Sequence, residues 1–231
     1  MIEILPITGI PEVERDADVA ALIVTGLTDA GISLRPSDVL VVTHKIVSKA
    51  EGRFIDAADD RAYREAVAGQ ARAIIRRRGD LIITQTHHGF ICANAGVDRS
   101  NVPGDRAVLL PLDPDRSAHL IRMKLKQATG LDIPVVISDT FGRPWRRGQT
   151  DVAIGISGLE AIADHRGRPD AEGRIMDATE VAIVDEIAAA ADLAMGKADR
   201  IPAAIVRGVD WSPGSARATD LVRPPHEDLF R

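Results

Sequence analysis

The sequence predicts a mixed α/β fold, and three observations carry that prediction. Short apolar runs alternate along the chain with longer stretches of helical periodicity. The apolar runs are continuous rather than alternating, as in strands buried on both faces. The chain has 231 residues, of which 45% are hydrophobic and 27% charged. A chain of that length buries roughly 70–75% of its unfolded surface and needs no covalent staple.

Taken in order, the first helix is expected over Asp16 to Ala30, where Val19, Leu22, Ile23 and Leu27 share one face. The run Val39 to Thr43 then reads as a buried strand. Arg61 to Arg78 reads as a helix that ends in a basic turn and a glycine, a suitable C-terminus. Leu81 to Thr84 and Ala107 to Leu110 are the next strands. Ser117 to Thr129 repeats the helix pattern, again closed by a basic turn and a glycine, and Pro134 to Ser138 follows as a strand. Thr179 to Met195 is the clearest helix: Thr179 suits an N-cap, Asp185 and Glu186 lie on the outer face, and Gly196 stops it. Its alanines at 188–191 imply a close neighbour. Pro202 to Val206 is the last strand. The polar stretches Gly142 to Asp151 and Asp164 to Asp177 set an N-terminal part apart from a smaller C-terminal segment, as functional loops or as a linker. Strand order does not follow from these patterns.

Composition excludes several classes. Aromatic residues are 3% of the chain and the net charge is −5. Both disfavour a nucleic-acid partner. Cys92 is the sole cysteine, so no disulfide closes within the chain and no cysteine cluster holds a metal. The opening Met1 to Pro6 lacks the basic flank and apolar stretch of a signal peptide. No apolar run approaches the roughly 20 residues of a membrane span. A soluble cytoplasmic protein is expected. There is no G-x-x-x-x-G-K-[ST] and no G-x-G-x-x-G, so the site is neither a P-loop nor a Rossmann one. H-E-x-x-H and G-x-S-x-G are likewise missing.

Four constellations remain as candidates for chemistry. In Ile133 to Thr140 an apolar strand delivers Asp139 and Thr140 side by side at its C-terminal end, the edge where open α/β sheets bind ligands. Two hard oxygens there suit Mg²⁺ or Mn²⁺, although a strand-ending Asp that caps a turn has the same sequence. The loop Gly142 to Asp151 carries Arg143, Arg146 and Arg147, suited to phosphate or carboxylate, or to plain solvation. Asn94 to Asn101 combines small residues with Asp98 and Asn101, as a ligand loop or an Asx-type turn. Finally, Thr43 and His44 lead into Lys45 and Lys49, which share one face of a helical turn and could hold phosphate oxygens or simply water. Cys92 shows no sign of an activated nucleophile and reads as a buried core thiol.

These blocks resemble those of the coenzyme F420:L-glutamate ligases. The likeness opens with Leu5-Pro6-Ile7-Thr8-Gly9-Ile10-Pro11-Glu12 and continues through Val41 to Arg53, Ala93 to Asn101 and Ser138 to Arg143. Asp185 to Leu193, Met195-Gly196-Lys197 and Val206-Arg207-Gly208 complete it. It implies an unusual two-part α/β fold, α+β-like in character, forming one ligase domain over residues 1–231 without a fused nitroreductase-like domain. It implies GTP-dependent addition of L-glutamate to a precursor of the deazaflavin coenzyme F420, through an acyl phosphate, by a homodimer. Mg²⁺ or Mn²⁺ is implied, two ions to a site, with K⁺ as a further candidate. By position, Asp98, Asp139 and Thr140 would be metal ligands. Ile10, Pro11, Glu12, Val13, His44, Lys49 and Asn101 would contact GTP, with His44 standing where relatives carry a smaller hydroxyl residue. Arg143, Arg146, Gly196 and Lys197 are candidates for an anion or substrate. No protein nucleophile is required, because positioning and metal electrostatics suffice. Two rivals stand beside this reading: a metal-dependent phosphohydrolase and a non-catalytic nucleotide-binding module.

Overall fold

Val39 to Val42 are all fully buried, so the strand they form is covered on both faces. The computed structural model, which describes residues 1–100, 102 and 104–229, shows how. β1 (Glu3–Pro6), α1 (Val19–Asp29), β2 (Val39–Thr43), α2 (His44–Ala50) and β3 (Phe54–Asp56) open the chain. α3 (Asp60–Gln70), β4 (Ala71–Arg78), β5 (Leu81–Thr86), β6 (Ile91–Ala93) and β7 (Arg106–Val108) follow. Next come α4 (Pro114–Thr129), β8 (Val135–Arg143), β9 (Arg146–Ser157), β10 (Ala163–Asp164) and β11 (Glu180–Val181). α5 (Ile183–Met195) and β12 (Ala203–Arg207) complete the main elements.

The fold is mixed, with several sheets and α+β character. The main sheet has the order β1-β12-β2-β8-β9. Only β2 and β8 run parallel; the other pairs are antiparallel. Its large core takes in Val39 to Val42, Val135 to Ile137 and Ala203 to Val206, with Ile23, Leu125 and Ile187 from the helices. The chain between β2 and β8 builds a second, smaller core around Ala57, Val67, Ile82, Val97, Ala107 and Leu109. It is framed by the β4-β5-β6 sheet and the β3-β7 pair.

The helix boundaries follow from their caps. Asp18 accepts from Ala21 N at the start of α1, and Asp113 from Arg116 N at the start of α4. Gly130 closes α4 in the left-handed conformation, φ 77°.

Four expectations are corrected. The helix read over Arg61 to Arg78 ends at Gln70, and Ala71 to Arg78 is a strand paired with β5. The β-branched Ile74 and Ile75 favour a pleated strand, and the cross-strand ladder outweighs the helix propensity of the arginines. The helix read from Thr179 starts at Ile183, because Glu180 and Val181 are taken up by β10. Gly142 to Asp151 is no open loop: it is the far end of the β8–β9 hairpin, with Gly142 opposite Gln149 and Thr140 opposite Asp151. Nor do the polar stretches part the chain, since β12 sits between β1 and β2. No helix among the described residues is long and apolar enough to cross a membrane.

Candidate active site

Because β2 and β8 are parallel, with Thr43 opposite Ser138, the C-terminal end of β2 lies beside the middle of β8, which runs on to Arg143. The residues just past that last pair are thereby juxtaposed. His44, the first residue of α2, is buried, and its Nε2 lies 3.3 Å from Asp139 Oδ1. Its Nδ1 is 3.3 Å from Ser48 Oγ one turn on. The Nε2 itself is left without a hydrogen-bond partner. Asp139 Oδ1 accepts the Thr140 N–H at 2.7 Å.

The hairpin register brings a carboxylate that sequence reading passed over. Thr140 Oγ1 donates to Asp151 Oδ1 at 2.6 Å, and Ser138 Oγ to Asp151 Oδ2 at 2.8 Å. Asp151 is 4% exposed. Across from it, Lys197 Nζ donates to Thr140 Oγ1, Asp151 Oδ1 and Asp192 Oδ1 at 2.8, 3.0 and 2.6 Å. Burial pulls the Lys197 pKa down, but Asp192 and Asp151 more than offset it and hold the ammonium above the ordinary lysine value.

The facing wall belongs to the smaller core. Asn94 and Ala95 adopt positive φ, 49° and 54°, and Gly96 packs so closely on Leu110 that a Cβ would lie 2.7 Å from its Cγ. This tight turn aims Asp98 at α2, where Lys45 Nζ reaches Asp98 Oδ2 at 2.8 Å and Ser100 Oγ at 2.6 Å. Burial raises the Asp98 pKa, yet the Lys45 ammonium and the Ser100 donors reverse the balance and leave it below the ordinary value. On the same helix Lys49 is buried and ion-paired to Glu12. Cys92 also faces the cleft; burial, then the Asp139 charge, push its thiol up to about 12. A thiol so reluctant to ionise is no nucleophile.

Together these walls enclose a cleft of about 1270 Å³, larger than the roughly 300–1,000 Å³ of a single drug-sized site. It gathers Ile10, Pro11, Glu12, Val13, His44, Lys49, Asp98, Asp139, Thr140, Gly196 and Lys197. Asn101 lies outside the described residues, though its neighbours Ser100 and Val102 line the cleft. Arg143 and Arg146 are not in the lining. They pair at the hairpin end, where the Arg143 guanidinium is spent on the Arg147 carbonyl at 2.8 Å. Arg200, which sequence reading did not single out, lines the cleft instead. Among the described residues no three His, Cys, Asp or Glu side chains close around one point. The oxygen donors fall into two groups, Asp98 alone and Asp139 with Thr140 and Asp151.

Residues 8–208 match the sequence model of F420-0:Gamma-glutamyl ligase. The chain belongs to the F420-0:gamma-glutamyl ligase family. A relative named coenzyme F420:L-glutamate ligase, from Methanothermobacter thermautotrophicus, is 43% identical over 251 aligned positions, covering 100% of this chain and 99% of its own length. Proteins of the same name from Methanocaldococcus jannaschii and Haloarcula marismortui are 39% and 38% identical, covering 86% and 99% of this chain and 86% and 95% of their own lengths. The family match spans both cores and both walls of the cleft. Asp151 and Asp192 lie within the matched segment as well; the β8–β9 pairing brings Asp151 to the site, and the Lys197 contact brings Asp192.

Proposed function

We propose that this chain joins L-glutamate to a precursor of coenzyme F420, with GTP as the phosphoryl donor. Family membership and the names of its relatives support the ligation. The observation that carries the chemistry is the cleft itself, where hard oxygen donors at a sheet edge face the Lys45 and Lys49 ammonium groups in a space wide enough for more than one substrate.

In this reading the precursor's terminal carboxylate attacks the γ-phosphorus of GTP. A P–O bond to the acyl oxygen forms, the bond to GDP breaks, and GDP leaves. The glutamate amine then attacks the acyl carbon, sheds a proton and expels inorganic phosphate as the amide forms. Lys49 and the Ile10 to Val13 segment would hold the nucleotide, with His44 and Asn101 beside it. Asp98, Asp139 and Thr140 would hold Mg²⁺ or Mn²⁺, with Asp151 joining the second pair. The fit is one of donor chemistry, all oxygen and partly anionic. With so few side-chain donors at each point, a divalent ion there would draw its remaining ligands from phosphate oxygens and water. When bound, it would neutralise charge on the phosphates. A K⁺ ion, a homodimeric assembly and a cytoplasmic location belong to the same reading and rest on the family resemblance.

The test is a product assay with purified chain, precursor, GTP, L-glutamate and Mn²⁺, read by mass spectrometry. A product heavier by one or more glutamyl residues, absent when any one component is omitted, is expected. GTP consumed at the same rate without glutamate or precursor overturns the ligase reading in favour of a phosphohydrolase.

A further inference from the structure

Asp151 lies between β8 and β9, 4% exposed, with hydroxyl donors from Ser138 and Thr140. Two neutral donors do not balance a carboxylate drawn out of water; a counter-charge is needed. Lys197 supplies it. Its Nζ is ringed by Thr140 Oγ1, Asp151 Oδ1 and Asp192 Oδ1 at 2.6–3.0 Å, an arrangement of oxygens around a cation. The lysine side chain is nonetheless 59% exposed. It enters the seat just after the Gly196 turn that ends α5. Next to the seat, buried His44 Nε2 has no hydrogen-bond partner and faces Asp139 Oδ1 across 3.3 Å. A buried polar atom left in that state costs free energy, so this edge is not at its electrostatic optimum with the ammonium alone.

We propose that Lys197 is a built-in counter-ion for a cation seat formed by Asp151, Asp192 and Thr140, and that it is exchanged for a divalent cation when the protein loads metal. The inference rests on the metal-dependent reading above. Lys197 acts as a positioning residue: it keeps the acidic edge folded without metal, and a metal ion must compete with it. Asp151 and Asp192 are the carboxylates handed from ammonium to metal.

The test is Mn²⁺ binding to the full chain without nucleotide, followed by electron paramagnetic resonance of free Mn²⁺, together with thermal denaturation of the metal-free protein. Lys197→Gln keeps a donor and removes the charge. It is expected to bind Mn²⁺ about tenfold tighter or more, since a charge-assisted contact no longer competes. Its metal-free Tm should fall by several degrees, and saturating Mn²⁺ should close most of that gap. Unchanged or weaker Mn²⁺ binding in Lys197→Gln overturns the exchange. Asp192→Asn leaves the buried Asp151 paired and serves if Lys197→Gln does not fold: it should weaken Mn²⁺ binding about tenfold, and unaltered binding overturns the seat. Wild-type protein that binds Mn²⁺ only when GTP is added overturns the exchange, and wild-type protein that binds none with or without GTP overturns the metal reading itself.

Discussion

At the scale of single residues, the site is a set of charges each held by a partner. Lys49 shows what that means for function. It is buried rather than solvated and is paired with Glu12, so two roles compete: anchoring Glu12 or gripping the nucleotide phosphates. Lys49→Ala is expected to raise the KM for GTP and to lower kcat/KM for GTP by about 10–150-fold, the equivalent of a charge-assisted contact of about 1.5–3 kcal/mol. Glu12→Gln separates the roles, because it removes the pair and leaves the ammonium. Steady-state kinetics with GTP varied should find a smaller loss than in Lys49→Ala, since Glu12 is the exposed end of the pair; a loss matching that of Lys49→Ala would assign the lysine to Glu12 alone. Asp139→Asn and Asp98→Asn should each cut turnover by at least about 10–100-fold at limiting Mn²⁺, the loss typical even of groups around the ligands. Thermal denaturation checks that the variants still fold, and wild-type turnover in either removes that carboxylate from the site. Sequence alone singled out Asp98, Asp139, Thr140, His44 and Lys49, which line one cleft, because each sits at the end of a recognisable apolar run or in a block shared with the family. It could not locate Asp151 or Asp192. Their place depends on which residue lies across a hairpin and where a lysine side chain swings, and neither leaves a local pattern.

At the scale of elements, strands buried on both faces were the most legible. A short, unbroken apolar run such as Val39 to Val42 leaves no polar face for water, so both of its faces must be covered. Helices were legible in their middles and less so at their ends. Ser117 fell short of the true start at Pro114 because the cap, Asp113, stands before a proline that suits the first helical turn. Ala71 to Arg78 was misread for a different reason: its periodicity is weak, most of its residues are exposed, and pairing with β5 decides its state. Tight approaches between elements were also hidden. Gly155 of β9 lies against the start of α4, and a Cβ built there falls 2.5 Å from the Pro114 carbonyl carbon and oxygen. Backbone cannot yield as a flexible side chain does, so Gly155→Ala should cost about 1–3 kcal/mol through overpacking. That is a drop in Tm of several degrees, about 2–4 °C per kcal/mol at this chain length. An unchanged Tm would mean that α4 and β9 are not locked together as described.

At the scale of the whole molecule, the ion pairs set how the fold responds to acid. Lys124 holds the Asp18 carboxyl below the ordinary value of 3.8. Burial raises Asp132, but Lys126 and Arg122 bring it below that value, and Asp98 is likewise depressed against its own burial. A depressed folded pKa means that the unfolded chain takes up protons first. The stability these pairs contribute is therefore complete above about pH 4 and is lost as pH falls through the folded values. Asp185 works in the opposite sense, because burial raises its pKa and folding favours its protonated form. Arg166 also holds the Asp164 carboxyl down, to about 2. With four carboxyls lowered against one raised, the urea midpoint should stay level from about pH 8 to about pH 5 and fall below about pH 4. A midpoint that rises on acidification would contradict the pairing. The parallel β2–β8 junction and the turn around Gly96 matter at this scale too, since they set the two walls of the cleft facing one another. What those walls are proposed to do is activate a carboxylate at the expense of GTP, and one isotope measurement tests that most directly. Precursor carrying ¹⁸O in its terminal carboxylate is incubated with the protein, GTP, L-glutamate and Mn²⁺, and the released phosphate is analysed by mass spectrometry. The account predicts one ¹⁸O atom in inorganic phosphate for each amide formed; amide formation with unlabelled phosphate would contradict it.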